Sequence, residues 1–208
     1  MTGMSATERP RGRPPGDGLI NVTAIKEVGT RLIFEQGYEC MTLRDLASEL
    51  GVKPASLYNH IDSKQALLAE LVEQYTAEMA DGLEGALEGV IGPANRLKAF
   101  VSYHIGFHTR RIVQASICLT ELRHLQGARR ATVQRLRDGY EARLRAIIHD
   151  GIEQRVFGAV DERLAAFAIL GMITSVIGWY RPGGRCTPQE LSDAYGAFAL
   201  AALRPEPG

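Results

Sequence analysis

The chain has 208 residues, 45% of them apolar and 23% charged, and its formal net charge is zero. That composition is ordinary for a soluble globular protein, long enough for one large domain or for a small domain joined to a larger one. Bulk charge does not announce nucleic acid, although a local basic face can act while the rest of the chain is acidic. Cys40, Cys118 and Cys186 are odd in number and far apart, with no C-x-x-C. They argue against a disulfide framework and a sulfur-rich zinc site, and they suit a reducing, cytoplasmic location.

Residues 1–18 are rich in Pro, Gly and Arg, with little to bury, and are expected to form a flexible basic arm. The arm lacks an apolar h-region and is not a signal peptide. From there the pattern is helical almost throughout. Ile25, Val28, Leu32 and Ile33 recur at helix spacing, and Gly37 stops that helix. Thr42 is placed to cap a second helix, with Asp45 in the capping-box position and Leu43, Leu46, Ala47 and Leu50 as its apolar stripe. Gly51 ends it, Pro54 suits the first turn of a third helix reaching about Ile61, and Ser63 caps a fourth that runs to about Ala80.

Glycines between Asp81 and Pro93 predict a break or loop. Five further helices follow, over about 94–110, 112–125, 128–156, 161–180 and 187–203, with Arg181–Gly184 separating the last two. Nothing alternates with period two, so the expected fold is all-α. It divides into the arm, a helix-turn-helix domain over 19–66, and a ligand-binding and dimerisation domain over 67–208. Leu164–Tyr180 carries no charge, but it falls short of the ~18–20 apolar residues of a membrane span. A buried interface helix is the simpler reading.

Two short helices joined by Gly51-Val52-Lys53 have the form of a helix-turn-helix, whose second helix enters the major groove. Leu57 and Ile61 supply the buried side of that helix, leaving Ser56, Tyr58, Asn59 and His60 to face outward. Spacing alone also admits an exposed polar helix with no partner. Arg11 and Arg13, in Pro10-Arg11-Gly12-Arg13-Pro14, have the composition of a minor-groove hook, and equally of a solvated basic tail.

The stretch Ile25–Leu68, IKEVGTRLIFEQGYECMTLRDLASELGVKPASLYNHIDSKQALL, closely resembles the DNA-binding domain of the TetR/AcrR regulators. Gly37-Tyr38, Thr42, Asp45-Leu46-Ala47, Gly51-Val52, Leu57-Tyr58, His60 and Ser63-Lys64 stand where that family's pattern puts them. Ile33 and Ile61 sit where an aromatic is usual, and Pro54-Ala55 replaces a commoner Lys-Gly. The last departure changes the groove-facing surface, so no relative's operator can be transferred. The resemblance implies phosphate contacts from Thr42, Tyr58, His60 and Lys64, with Arg44 beside them. It places Lys53, Pro54, Ala55, Ser56 and Asn59 nearer base edges.

The remaining helices carry no enzymatic signature, no cofactor motif and no phosphate-binding loop, so no enzyme and no cofactor is expected. His104 and His108 stand one helical turn apart, a spacing that can grip a metal with Glu121 or His124, but such pairs are usually plain helix-face residues and no metal is expected. Cys118 has only Arg110 and Arg111 nearby to activate it as a redox sensor. Four stretches, HIGFHTRR, ELRHL, LRDGYEARL and AILGMITSVIGWYRPGGRCTPQEL, resemble a subset of TetR regulators that answer to acyl-CoA thioesters. By that resemblance, His104, His108, Arg111, Cys118, Met172, Trp179 and Arg181 are candidates for an effector pocket.

Ala165, Ala168, Gly171, Ser175 and Gly178 would let helices approach closely, and Leu191, Ala194, Tyr195 and Phe198 make an apolar face. Both suit a homodimer that presents two recognition helices to a palindromic DNA operator. The resulting expectation is a ligand-responsive repressor released by a small hydrophobic effector such as an acyl-CoA, with no membrane partner. A regulator of efflux or antibiotic production, or a helical enzyme with a DNA-binding appendage, are the alternatives.

Overall fold

The computed structural model describes residues 21–205. The arm with Arg11 and Arg13 lies outside them. Among the described residues the chain is wholly helical: α1 (Val22–Gln36), α2 (Leu43–Glu49), α3 (Pro54–Leu57), α4 (Lys64–Leu87), α5 (Pro93–Arg110), α6 (Ile112–Thr120), α7 (Gly127–Glu153), α8 (Glu162–Thr174), α9 (Val176–Trp179) and α10 (Pro188–Ala202).

The caps that bound the first helices are local chemistry. Asn21 accepts from the Ala24 amide and Ser63 from the Ala66 amide. Thr42 and Asp45 complete a reciprocal capping box, and the Thr42 hydroxyl and amide hold the Asp45 carboxyl below its ordinary value. Gly51 takes φ +67°; its amide reaches the Ser48 carbonyl and the Val52 amide the Ala47 carbonyl. These two bonds form a Schellman ending, which turns the chain sharply into α3 and favours a residue without Cβ.

Two apolar cores lie along α4. The head core gathers Ile25, Leu32 and Ile33 of α1, Met41, Leu46 and Ala47 around α2, Leu57 of α3, and Leu67, Leu68 and Val72 of α4. It extends onto Ile117, Leu125 and Val133 of the body, so the head is seated on α6 and the start of α7. Ile33 and Ile61, the family departures, are buried here. The expected domain border near residue 66 falls in the first turn of α4, whose Leu67–Val72 segment belongs to the head core. The body core centres on α5, which packs against α4, α7, α8, α9 and α10.

Several helix limits differ from expectation. The third helix, expected to reach about Ile61, ends at Leu57, and Ile61 is buried from the turn that follows it. The helix expected over 112–125 ends at Thr120, with a single 3-10 turn over Leu122–His124 after it. α4 does not break at Asp81 but continues through Gly82 and Gly85 to Leu87. Packing overrides propensity there: Leu83 and Leu87 are buried, and Tyr103 lies so close over Gly82 that a Cβ would collide with its hydroxyl. That hydroxyl donates to the Met79 carbonyl at 2.9 Å. The expected 161–180 helix is interrupted at Ser175, whose hydroxyl donates to the Met172 carbonyl at 2.6 Å while its amide is shared between Gly171 and Met172. This tightening separates α8 from α9.

Candidate DNA-binding face and effector cavity

Leu57 is fully buried and anchors α3, a helix of 4 residues, so the residues flanking it are turned outward. Thr42, Arg44, Lys53, Pro54, Ala55, Asn59 and His60 are exposed, Ser56 is half-buried, and Tyr58 is 57% exposed. The face thus presents a phenol, an amide, an imidazole and two cations to solvent, and phosphates and base edges match those groups.

Lys64 differs from the others. Its ammonium donates to the carbonyls of Tyr38, Glu39 and Met41 at 2.8, 3.1 and 3.0 Å and sits 4.5 Å from the Tyr38 ring centre. All three of its protons are therefore used inside the head, where they fasten the start of α4 to the α1–α2 turn. A phosphate contact by Lys64 would have to displace one of these carbonyls.

The body holds a cavity of about 140 Å³ between α4, α5, α6, α7, α8 and α9. Val72, Met79, Ala115, Leu119, Val133, Leu170 and Ile177 give it an apolar wall. Its polar groups are Tyr75, Thr76, His104, His108, Cys118, Arg137, Tyr140 and Thr174. His104 is held at both ring nitrogens, by the Tyr140 hydroxyl at 3.2 Å and the Thr174 hydroxyl at 3.1 Å. His108 Nδ1 meets the Tyr75 hydroxyl at 2.5 Å, while its Nε2 is buried with no partner. Burial keeps both rings neutral: His104 is driven well below 6.5, and His108 is lowered to about 4, with the nearby Arg137 charge adding to the effect.

Of the sequence candidates, His104, His108 and Cys118 line this cavity. Arg111, Met172, Trp179 and Arg181 do not. Arg111 pairs with Glu78 and covers the Phe107 ring, on the flank where α1 meets α4. Met172 packs into the body core, Trp179 is 47% exposed, and Arg181 bonds the Tyr180 carbonyl at the surface. Burial pushes the Cys118 thiol up to about 12, which removes the thiolate that redox sensing needs. Glu121 and His124 stand apart from the histidine pair: His124 stacks on Tyr38 of the head and pairs with Glu121 at 3.3 Å. Among the described residues no three metal-ligating side chains converge.

Sequence reasoning passed over Tyr75, Tyr140, Thr174 and Arg137. The first three are separate helix-face residues until the fold brings them together. Arg137 was hidden among the many arginines of α7.

On the body, α8 to α10 leave an apolar stripe exposed. Leu164 (66% exposed), Phe167, Ala168, Gly171, Ser175, Gly178 and Trp179 follow one another at helical spacing, beside Ala194, Ala197 and Phe198 (60% exposed) on α10. Leu191, expected on this face, turns inward against the body core.

A three-helix head with an exposed recognition helix, set on a helical body with an internal cavity, defines a helix-turn-helix transcriptional regulator. Residues 25–71 match the bacterial regulatory proteins of the tetR family, and residues 91–203 match the tetracyclin repressor-like C-terminal domain. The chain belongs to the TetR family of DNA-binding regulators. It is 23% identical over 196 residues to the transcriptional repressor KstR2 of Rhodococcus jostii, covering 91% of this chain and 96% of that protein. Its structure resembles the TetR-family regulator PfmR of Thermus thermophilus, with 34% identity, TM-score 0.79, and coverage of 85% of this chain and 97% of that one. It also resembles AibR, solved with isovaleryl coenzyme A and operator DNA, at 27% identity and TM-score 0.78, over 85% of this chain and 96% of that one. These relatives are transcriptional regulators, not enzymes.

Proposed function

We propose that the chain is a homodimeric cytoplasmic repressor that leaves its operator when a small apolar effector enters the body cavity. The observation that carries this reading is the course of α4. Its first turn follows directly on the recognition helix, and two turns later Val72, Tyr75, Thr76 and Met79 form one wall of the cavity. An occupant pressing on that wall acts on the same rigid element that positions the head. Coupling of this kind is worth ~1–3 kcal/mol.

Thr42, Arg44, Tyr58 and His60 serve the phosphates in this reading, together with Lys64 once it yields one of its carbonyls. Lys53, Pro54, Ala55, Ser56 and Asn59 face the bases, and Arg11 and Arg13 extend the contact into the minor groove. The exposed stripe of α8 to α10 is the dimer face, pairing two heads on a two-fold operator. A cavity of about 140 Å³ suits a small occupant, where drug-sized ligands need ~300–1,000 Å³. Likeness to AibR, solved with isovaleryl coenzyme A, supports the acyl group of a thioester as that occupant.

The test is a thermal-shift screen of acyl-CoAs against unrelated hydrophobes, followed by operator release with each hit. Release at saturating ligand is expected. Operator affinity that stays unchanged at saturation would overturn the mechanism.

A further inference from the structure

Among the residues that line the cavity, the hydroxyls of Tyr75, Thr76, Tyr140 and Thr174 and both nitrogens of His104 have partners in the fold, and one buried ring nitrogen does not. His108 is 4% exposed, and its Nε2 has no hydrogen-bond partner. The Tyr75 phenol keeps its proton, because burial raises its pKa, and Nδ1 of His108 is the acceptor within its reach. A neutral imidazole that accepts at Nδ1 carries its proton at Nε2, so the leftover atom is an N–H donor. A buried donor without an acceptor is costly, so it is an incentive to bind an oxygen.

A second feature lies at the rim. Along the seam between α4 and α7, Arg129 pairs with Glu73 at 3.0 Å and Arg143 with Glu84 at 2.8 Å. Arg137 stands between these two ties, where α4 offers Thr76 and Met79 instead of a carboxylate. It is exposed and lines the cavity, and its charge is felt by both His108 and Cys118. The cavity lining thus holds a buried, unpartnered N–H donor on His108 and an exposed cation on Arg137, beside the apolar wall.

We infer that the effector is a short acyl compound whose carbonyl oxygen accepts from His108 Nε2 and whose negative charge meets Arg137, with the chain among Val72, Met79, Leu170 and Ile177. The inference rests on the effector-release reading above. A benzene-sized group fills a cavity of ~150 Å³, so acyl chains of about four to six carbons fit and long ones do not. Two sources share this chemistry: a free carboxylate, whose second oxygen carries the charge, and a coenzyme A thioester, whose phosphates carry it.

The experiment uses the full-length dimer and an operator selected from random DNA. Calorimetry measures binding of isovalerate, isovaleryl-CoA, coenzyme A alone, and the S-alkyl thioether of coenzyme A with the same branched tail but no carbonyl. The acid or the thioester should bind at least tenfold tighter than the thioether or coenzyme A, and whichever binds identifies the source. Dodecanoyl compounds should bind at least tenfold more weakly than the isovaleryl ones. His108→Leu should remove the preference for the carbonyl, His108→Gln, which keeps a donor, should restore part of it, and Arg137→Gln should weaken binding at least fivefold.

Each variant is first shown to retain wild-type operator affinity without ligand, which separates a lost contact from a lost fold. Equal binding of thioester and thioether by the wild type, or an unchanged preference in His108→Leu, would overturn the inference. So would failure of both the acid and the thioester to bind. If other small molecules still released the operator in that last case, the regulatory reading would survive without this one.

Discussion

In the head, the polar side chains assigned to function stand in water: Tyr58, Asn59 and His60 leave a helix of 4 residues with only Leu57 pinned beneath them. In the body, the corresponding groups are buried; His104 is held by Tyr140 and Thr174, and His108 by Tyr75. The head meets a partner that brings its own charge and water, so its groups can be left open. In the proposed reading the body takes its effector into a buried space, so every polar atom there needs a partner unless the effector supplies one. Substitutions on the exposed face should therefore cost less stability than substitutions around the buried histidines.

Leu57→Ala should give the largest effect on that contrast. Truncating a fully buried leucine costs ~2–5 kcal/mol, and the loss falls on the element that presents the recognition surface. Operator binding should disappear while ligand-induced stabilisation of the body remains in a thermal-shift assay. If ligand binding collapsed in parallel, the two regions would be one cooperative unit, as the shared core with Ile117, Leu125 and Val133 allows.

Acid should strike the body next. His108 is lowered to about 4 and His104 well below 6.5, so the unfolded chain takes up these protons first. Stability is therefore fully present above pH 6.5 and falls as the pH drops from there toward 4, by about 1.4 kcal/mol per pH unit for each ring. Urea melts across that range should show the slope, and His108→Leu should reduce it by one proton. A slope that did not change would mean that His108 is protonated in the folded body.

Asn59→Ala sharpens the head side. The side chain is exposed, so the melting temperature should stay the same, while discrimination at one operator base pair falls by ~1–3 kcal/mol. Equal losses on specific and random DNA would exclude base reading. The smallest effect is expected from Ser63→Ala, which removes the bond to the Ala66 amide at the start of α4 and costs ~1 kcal/mol. Because α4 serves both regions, operator affinity and ligand response should weaken together.

The sequence by itself determined the head. Thr42 with Asp45, Gly51, Pro54 and Ser63 each act within a few residues of their own position, so the helix starts and the end of α2 could be read from spacing, whereas the end of α3 at Leu57, short of the expected Ile61, could not. It also determined the helical class of the body, and it picked out His104 and His108 because they share one helix. Only the tertiary structure decided the rest. Tyr103 closing over Gly82 carried α4 past the expected break, and beyond the turn at Ser175 it is Ile177, not Trp179 or Arg181, that lines the cavity. Side chains from six helices then met around His108, and the spacing of carboxylates on α4 set Arg137 apart from its neighbours. Capping and turn chemistry act along the chain and can be read from it. A cavity exists only where distant helices pack, and its polar character depends on which partners that packing leaves out.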